Sequence, residues 1–253
     1  RAAVFQRHGI DFCCGGSRSV RSACEEVGAE YEAVASSLEK VGVNGTPVED
    51  PNEWALDALA DHIVERHHGY VRETLPVLRQ FAGKVAKVHG RRHEELLEIR
   101  DLVEELSVEM ERHMEEEETV LFPRIRVLVS GSVSGSGSGS GSGSEAGSDN
   151  GLDDGSDDGS GAGSGDGAGG DDAADGVSGA VPPLEDDHDH AGGLMARIRE
   201  LSGGFEAPAD ACNTYRATYA KLEEFEADLH RHVHLENNVL FPRAVEAEAR
   251  AAA

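Results

Sequence analysis

The strongest constraint on this chain is a phrase that occurs twice. Residues 113–123 read His-Met-Glu-Glu-Glu-Glu-Thr-Val-Leu-Phe-Pro, and residues 232–242 read His-Val-His-Leu-Glu-Asn-Asn-Val-Leu-Phe-Pro. Both reduce to His-x-x-x-Glu-x-x-Val-Leu-Phe-Pro. On a helix, positions four apart share a face, so the imidazole and the carboxylate project together. The proline six residues after the Glu is expected to end the helix or its last turn. A single His-x-x-x-Glu is no more than a solvated helix face. A second copy, with four further residues kept at the same offsets, points to a shared task.

Each copy has a histidine well upstream, His68 before His113 and His188 before His232, at nearly equal spacing. Each half therefore reads as a helix carrying one His and a returning helix carrying His and Glu. Two such hairpins make an all-α protein built on a four-helix bundle, and inward-facing His and Glu on facing helices are how bundles hold metal. Four His with two Glu suit two iron ions, because imidazole fits iron and carboxylates bridge hard cations. No Cys belongs to the set, so a structural zinc or a cluster site fits less well.

Which neighbour faces inward stays open at this level. His67 and His68 point about 100° apart, and each lies four residues beyond a core candidate, Ile63 or Val64. His188 and His190 pose the same question. His62, His89, His93, His230 and His234 have no echo in the other half and read as solvent-facing or supporting. Three of the run Glu115 to Glu118 read as a solvated face, with Glu117 turned inward. Glu109, one turn before His113, reads as a supporting carboxylate.

The chain has 253 residues and a net charge of −26, with 49 acidic side chains against 23 basic ones. That balance argues against nucleic-acid binding, which needs a basic footprint. No apolar run approaches about 18 residues, so no membrane span is expected. With no signal-peptide pattern and four Cys that make no disulfide framework, a cytoplasmic location is expected.

Along the chain, residues 1–45 read as a small helical domain holding the adjacent thiols Cys13 and Cys14. Ser17 or Ser19 is placed to cap a helix over Val20–Val27, which Gly28 ends. Glu30 to Lys40 gives a third short helix, and Gly42 to Asn52 a linker. Residues 50–129 form the first hairpin, with its first helix carried past Pro76 as a kink. Residues 130–180 read as a disordered acidic linker, since they carry ten acidic and no basic side chains and almost nothing to bury. Residues 181–250 form the second hairpin, announced by Pro182-Pro183.

The stretch Phe5-Gln6-Arg7-His8-Gly9-Ile10-Asp11-Phe12-Cys13-Cys14-Gly15-Gly16 resembles the N-terminal Cys-Cys domain of the iron–sulfur cluster repair di-iron proteins. His188-Asp189-His190-Ala191-Gly192 and the phrase at 232–242 resemble that family's hemerythrin-like domain. The resemblance covers everything except the linker. It implies a hemerythrin-like bundle with an oxo-bridged pair of iron ions, held by four His and two bridging Glu. Matched position by position, the ligands are His68 (from His68, Glu73, Leu75 and Pro76), His113, Glu117, His188, His232 and Glu236. His67 is then a bystander on a partly exposed face. The implied function is repair of clusters damaged by oxidative or nitrosative stress, with Cys13 and Cys14 handling iron, sulfur or electrons. Implied partners are damaged iron–sulfur proteins and nitric oxide or oxygen, with a homodimer possible. A hemerythrin-like carrier or sensor of oxygen or nitric oxide is the alternative, though it has no need of the Cys pair. Two departures stand out: the long acidic insert, and His190 where an acidic residue is usual.

Overall fold

In the computed structural model, residues 2–10, 18–43, 50–134 and 176–253 are described, and all regular structure among them is helical. Cys13 and Cys14 lie outside the described residues. The first unit comprises α1 (Ala2–Arg7), α2 (Val20–Val27) and α3 (Tyr31–Val43). Ser19 caps α2 by accepting from the Ser22 N–H at 3.2 Å. Gly28 ends it at φ 67°, a left-handed position that costs glycine little. Val4, Ile10, Ala23, Cys24 and Val34 make the small core of this unit. The third helix runs on to Val43, into the stretch expected to be linker.

Four long helices follow. Helix α4 spans 56–89, as Leu56–His62, a π-helical turn Ile63–His68, and Gly69–His89. Helix α5 spans 95–134, as Glu95–Glu116, a π turn Glu117–Leu121, and Phe122–Ser134. Helix α6 is Val177–Leu201. Helix α7 spans 213–251, as Asn213–Leu235, a π turn Glu236–Leu240, and Phe241–Ala251. The bundle runs up-down-up-down: α4 packs on α5 and α7, and α6 packs on the same two helices. Short connections at 90–94 and 202–212 make each half an antiparallel hairpin.

Two expectations need correction. Neither Pro123 nor Pro242 ends its helix; each stands second in an α segment that resumes after a π turn. In an ordinary helix the proline ring meets the carbonyl four residues back. Here that carbonyl belongs to Thr119 or Asn238, inside the widened turn, where the Phe122 and Phe241 N–H groups reach back five residues to Glu117 and Glu236. The widening makes room for the ring. The second correction concerns the linker, because α6 begins at Val177 and includes Pro182 and Pro183. Val177 and Val181 are buried, and the Glu248 carboxylate caps the helix start by accepting from the Val177 and Ser178 N–H groups at 2.6 and 2.9 Å. Partial burial pushes the Glu248 carboxyl up, yet these donors hold it below its ordinary range. Arg124 of α5 donates to Gly176 O at 3.1 Å, which ties the last segment of α5 to the residue just before α6.

The bundle core divides in two. One apolar cluster, including Leu78, Val103, Leu106, Ile198, Tyr219 and Phe225, fills the end near the short connections. The other, including Leu59, Ile63, Phe122, Ile125, Leu184 and Phe241, fills the opposite end. Among the described residues no helix is long and apolar enough to cross a membrane.

Because Arg124, shortly before 135–175, already reaches Gly176 just after it, and closure entropy varies slowly with loop length, that segment is expected to be replaceable. A neutral Gly/Ser chain of about 15 residues in place of 135–175 should leave the bundle's helical signal and denaturation midpoint unchanged. A midpoint that collapses would show that the segment contributes to the fold.

Candidate metal centre

Between the two apolar clusters, side chains from all four bundle helices converge. His68 of α4, His113 and Glu117 of α5, His188 of α6, and His232 and Glu236 of α7 are each at most 2% exposed. They form two groups able to hold a metal ion, His68–Glu117–His232–Glu236 and His113–Glu117–His188–Glu236. Both carboxylates are common to both groups. Each group also draws from both halves of the chain, so neither hairpin holds one alone.

The atomic arrangement fits a cation. His68 Nε2 lies 3.1 Å from His232 Nε2, and His113 Nε2 lies 2.9 Å from His188 Nε2. His232 Nε2 is 2.9 Å from Glu236 Oε1, and His68 Nε2 is 3.2 Å from Glu117 Oε2. His188 Nε2 stands 3.2 Å from Glu236 Oε2 and His113 Nε2 3.4 Å from Glu117 Oε2. Both oxygens of Glu117 and Oε2 of Glu236 are buried without a hydrogen bond. Buried oxygens left unpaired are costly. A cation facing four imidazole nitrogens and two carboxylates removes that cost, and this donor set suits iron and other divalent transition metals.

The far side of three rings is tied down, as expected for metal-binding histidines. His68 Nδ1 meets Glu118 Oε1 at 2.6 Å, and His188 Nδ1 meets Asn237 Oδ1 at 2.7 Å. Glu118 and Asn237 each follow the repeated Glu directly, so the two halves use the same device. Phe122 and Phe241, the phrase's Phe, stack on His68 and His188, both with ring centroids 5.9 Å apart. Glu118 is therefore no part of a solvated face; it also accepts from Arg72 Nη2 at 2.8 Å.

The halves differ at one position. Asp187, just before His188, reaches His113 Nδ1 at 3.3 Å. His67, just before His68, instead stacks parallel on His232 at 5.5 Å, and His232 Nδ1 makes no hydrogen bond. His67 is 4% exposed and lies 3.1 Å from Asp228 Oδ2. Its expected exposure is thus corrected: the π turn Ile63–His68 carries both neighbours inward. Outside it lies a cleft of about 310 Å³ lined by His62, Arg66, His67, Asp228, Arg231 and His234. His190 is exposed, 3.3 Å from Glu105, and Glu109 pairs with Arg112 on the outer surface at 3.1 Å. Neither reaches the centre.

Packed this closely, the imidazoles and carboxylates shift one another's titration. Burial pulls the His68 imidazolium down, but Glu117 and Glu236 outweigh it and raise it to about 10. His113 is likewise pulled down by burial and raised to about 9 by Glu117, Glu236 and Asp187. Burial pushes both carboxyls up, joined at Glu117 by repulsion from Glu236, and the surrounding imidazoles overcome this, holding both below the usual range. Burial keeps His232 below its ordinary value.

Comparison with known proteins follows this geometry. Residues 1–42 match the model of a domain of unknown function, DUF542. Residues 59–138 and 171–244 match the hemerythrin HHE cation binding domain. The chain is 32% identical over 248 residues to the iron-sulfur cluster repair proteins YtfE of Yersinia pseudotuberculosis (strain PB1/+) and Yersinia pestis (strain Pestoides F), covering 97% of this chain and 91% of each relative.

Two measurements check this site. Because His68 and His113 are raised above 6.5, their contribution to the stability of chelated protein is complete below about 6.5 and is lost as pH rises through about 9 to 10. The lowered carboxyls contribute above their ordinary range and are lost only at strongly acid pH. The denaturation midpoint of chelated protein should therefore fall between pH 7 and pH 10, and a flat profile would contradict the charge sharing. His67→Ala, which leaves buried Asp228 with the longer contact to Arg231 at 3.6 Å, should lower stability by about 1–3 kcal/mol in chemical denaturation, where a surface histidine would change it by less than about 0.5 kcal/mol.

Proposed function

Because the chain belongs to the family of iron–sulfur cluster repair proteins with DUF542 and hemerythrin HHE domains, we propose that it repairs clusters damaged by oxidative or nitrosative stress. The observation that carries the reading is the pair of buried His-Glu groups sharing Glu117 and Glu236. In this reading His68 and His232 would hold one iron and His113 and His188 a second, with Glu117 and Glu236 within reach of both. Bound iron supplies redox and Lewis-acid chemistry and a store of metal for a damaged acceptor.

The protein's own part is to bind, orient and exclude water. Glu118, Asn237 and Asp187 hold three rings with Nε2 turned inward, fixing the tautomer each ring presents. Phe122 and Phe241 fix the planes of His68 and His188. The apolar clusters above and below keep bulk water from the carboxylates. Loading the site at neutral pH displaces the protons held by His68 and His113, so affinity falls as pH falls.

A carrier or sensor of oxygen or nitric oxide needs only the bundle. The match of residues 1–42 to DUF542 favours repair, since that segment carries Cys13 and Cys14. We assign this thiol pair the handling of iron, sulfur or electrons during transfer, with damaged iron–sulfur proteins as partners and the cytoplasm as the setting.

The test is restoration of activity to a dehydratase whose cluster has been damaged by nitric oxide. Iron-loaded protein should restore it. Cys13→Ser/Cys14→Ser should reduce restoration at least tenfold while bundle iron stays stoichiometric; unchanged repair would remove the thiols from the mechanism. His68→Ala should lose iron and His67→Ala should keep it. The reverse pattern would move the site by one residue.

A further inference from the structure

The cleft of about 310 Å³ outside His67 is a feature that the metal centre does not use. It lies between two helices, lined by His62, Arg66 and His67 of α4 and by Asp228, Arg231 and His234 of α7. In a chain of net charge −26 it gathers two guanidinium groups and three imidazoles around a single carboxylate. We propose that this cleft is a binding site for a small oxyanion, inorganic or carboxylate, with Arg66 and Arg231 as its cationic contacts.

Helix phase builds this arrangement. His62 and Arg66 stand four residues apart on α4, and Asp228, Arg231 and His234 recur at every third residue of α7, so each set shares one face. Arg66 belongs to the π turn Ile63–His68, which also brings His67 inward. His67 is the inner wall: it is 4% exposed, and its ring lies parallel to that of His232 at 5.5 Å. An anion in the cleft therefore rests one ring away from the metal centre and touches none of its six donors.

The charges leave cationic capacity in the cleft. Its one carboxylate is already engaged on both oxygens, with Asp228 Oδ2 3.1 Å from His67 Nδ1 and Oδ1 3.6 Å from Arg231 Nη2. Arg66 is exposed and makes no ion pair among the described residues. Asn238 Nδ2 donates to His234 Nδ1 at 3.2 Å, which leaves the proton of that neutral ring on Nε2 as a donor. Burial holds His62 below its ordinary value, and His67 and Arg66 push it further down against the pull of Glu65, the sign of a locally positive field. A guanidinium offers paired N–H donors whose fork matches the oxygens of a carboxylate or an inorganic oxyanion. The adjoining cleft, of about 490 Å³, shares His62 as a wall but presents Asp61 and Glu65. The two clefts are thus of opposite sign, and only the one over His67 suits an anion.

The test is equilibrium dialysis of the full, iron-loaded chain against labelled sulfate and, separately, labelled succinate, at fixed ionic strength. One equivalent of at least one of these anions should be retained; sulfate alone identifies an inorganic oxyanion, and succinate alone a carboxylate. Arg66→Gln and Arg231→Gln should each weaken retention at least about fivefold, with bundle iron and helical content unchanged. Arg126→Gln removes the same charge beside the acidic cleft, where Arg126 pairs with Asp61, and should leave retention as it was. Three results would overturn the proposal: retention of neither anion, retention that survives Arg66→Gln, as it would for an anion seated on the bundle iron, or an equal loss in Arg126→Gln. This outcome is independent of whether the chain repairs clusters.

Discussion

Two carboxylates buried at the middle of the bundle, Glu117 and Glu236, govern what the surrounding residues must be. Each is fully enclosed, and three of their four oxygens make no hydrogen bond. An anion in that setting is tolerated only against compensating positive charge, from a metal ion or from imidazolium. Four histidines supply the answer in either case: neutral they are ligands, protonated they are counter-ions. The raised imidazoles and lowered carboxyls are one phenomenon seen from two sides. Every neighbouring choice follows, from the stacked Phe122 and Phe241 to the apolar clusters that keep water away.

The backbone accommodates this through local widening. In α4, α5 and α7 the helix opens into a π turn at the stretch that carries the buried His or Glu, a device often found at functional sites. In α5 and α7 the widened turn begins at the Glu itself and ends just before Phe-Pro. The conserved spacing between the copies of the phrase therefore has a physical content. His and Glu share a face, the next residue tethers a distant ring, the Phe stacks on that ring, and the Pro sits where the opened turn leaves space.

Much of this was legible in the residues. The duplicated phrase, the upstream histidines and the apolar spacing suffice for a helical bundle with an internal His-Glu cluster. Ser19 and Gly28 mark α2 because their capping roles are local. What remained hidden depended on departures from regular helix. Phase arguments at 3.6 residues per turn cannot separate His67 from His68, since the π turn brings both inside. Glu118 and Asn237 fall on the outer face of a regular helix, and only their equal offset in the two copies hinted at a role. Pro123 and Pro242 read as stops for the same reason. The start of α6 was masked by small residues, because its anchor, Glu248, lies about seventy positions away.

That cross-chain assembly sets a timetable for synthesis. Each His-Glu group joins α4 or α5 to α6 or α7, and the pair His68 and His232 is separated by 164 residues. A ribosome adding about 5–20 residues per second needs roughly 8–33 s to cover that distance. Once α5 has been made, the first hairpin waits for the rest of the interval with its apolar face and half of each donor set uncovered. Both donor groups need residues of α7, so the centre can only be completed after that helix has emerged.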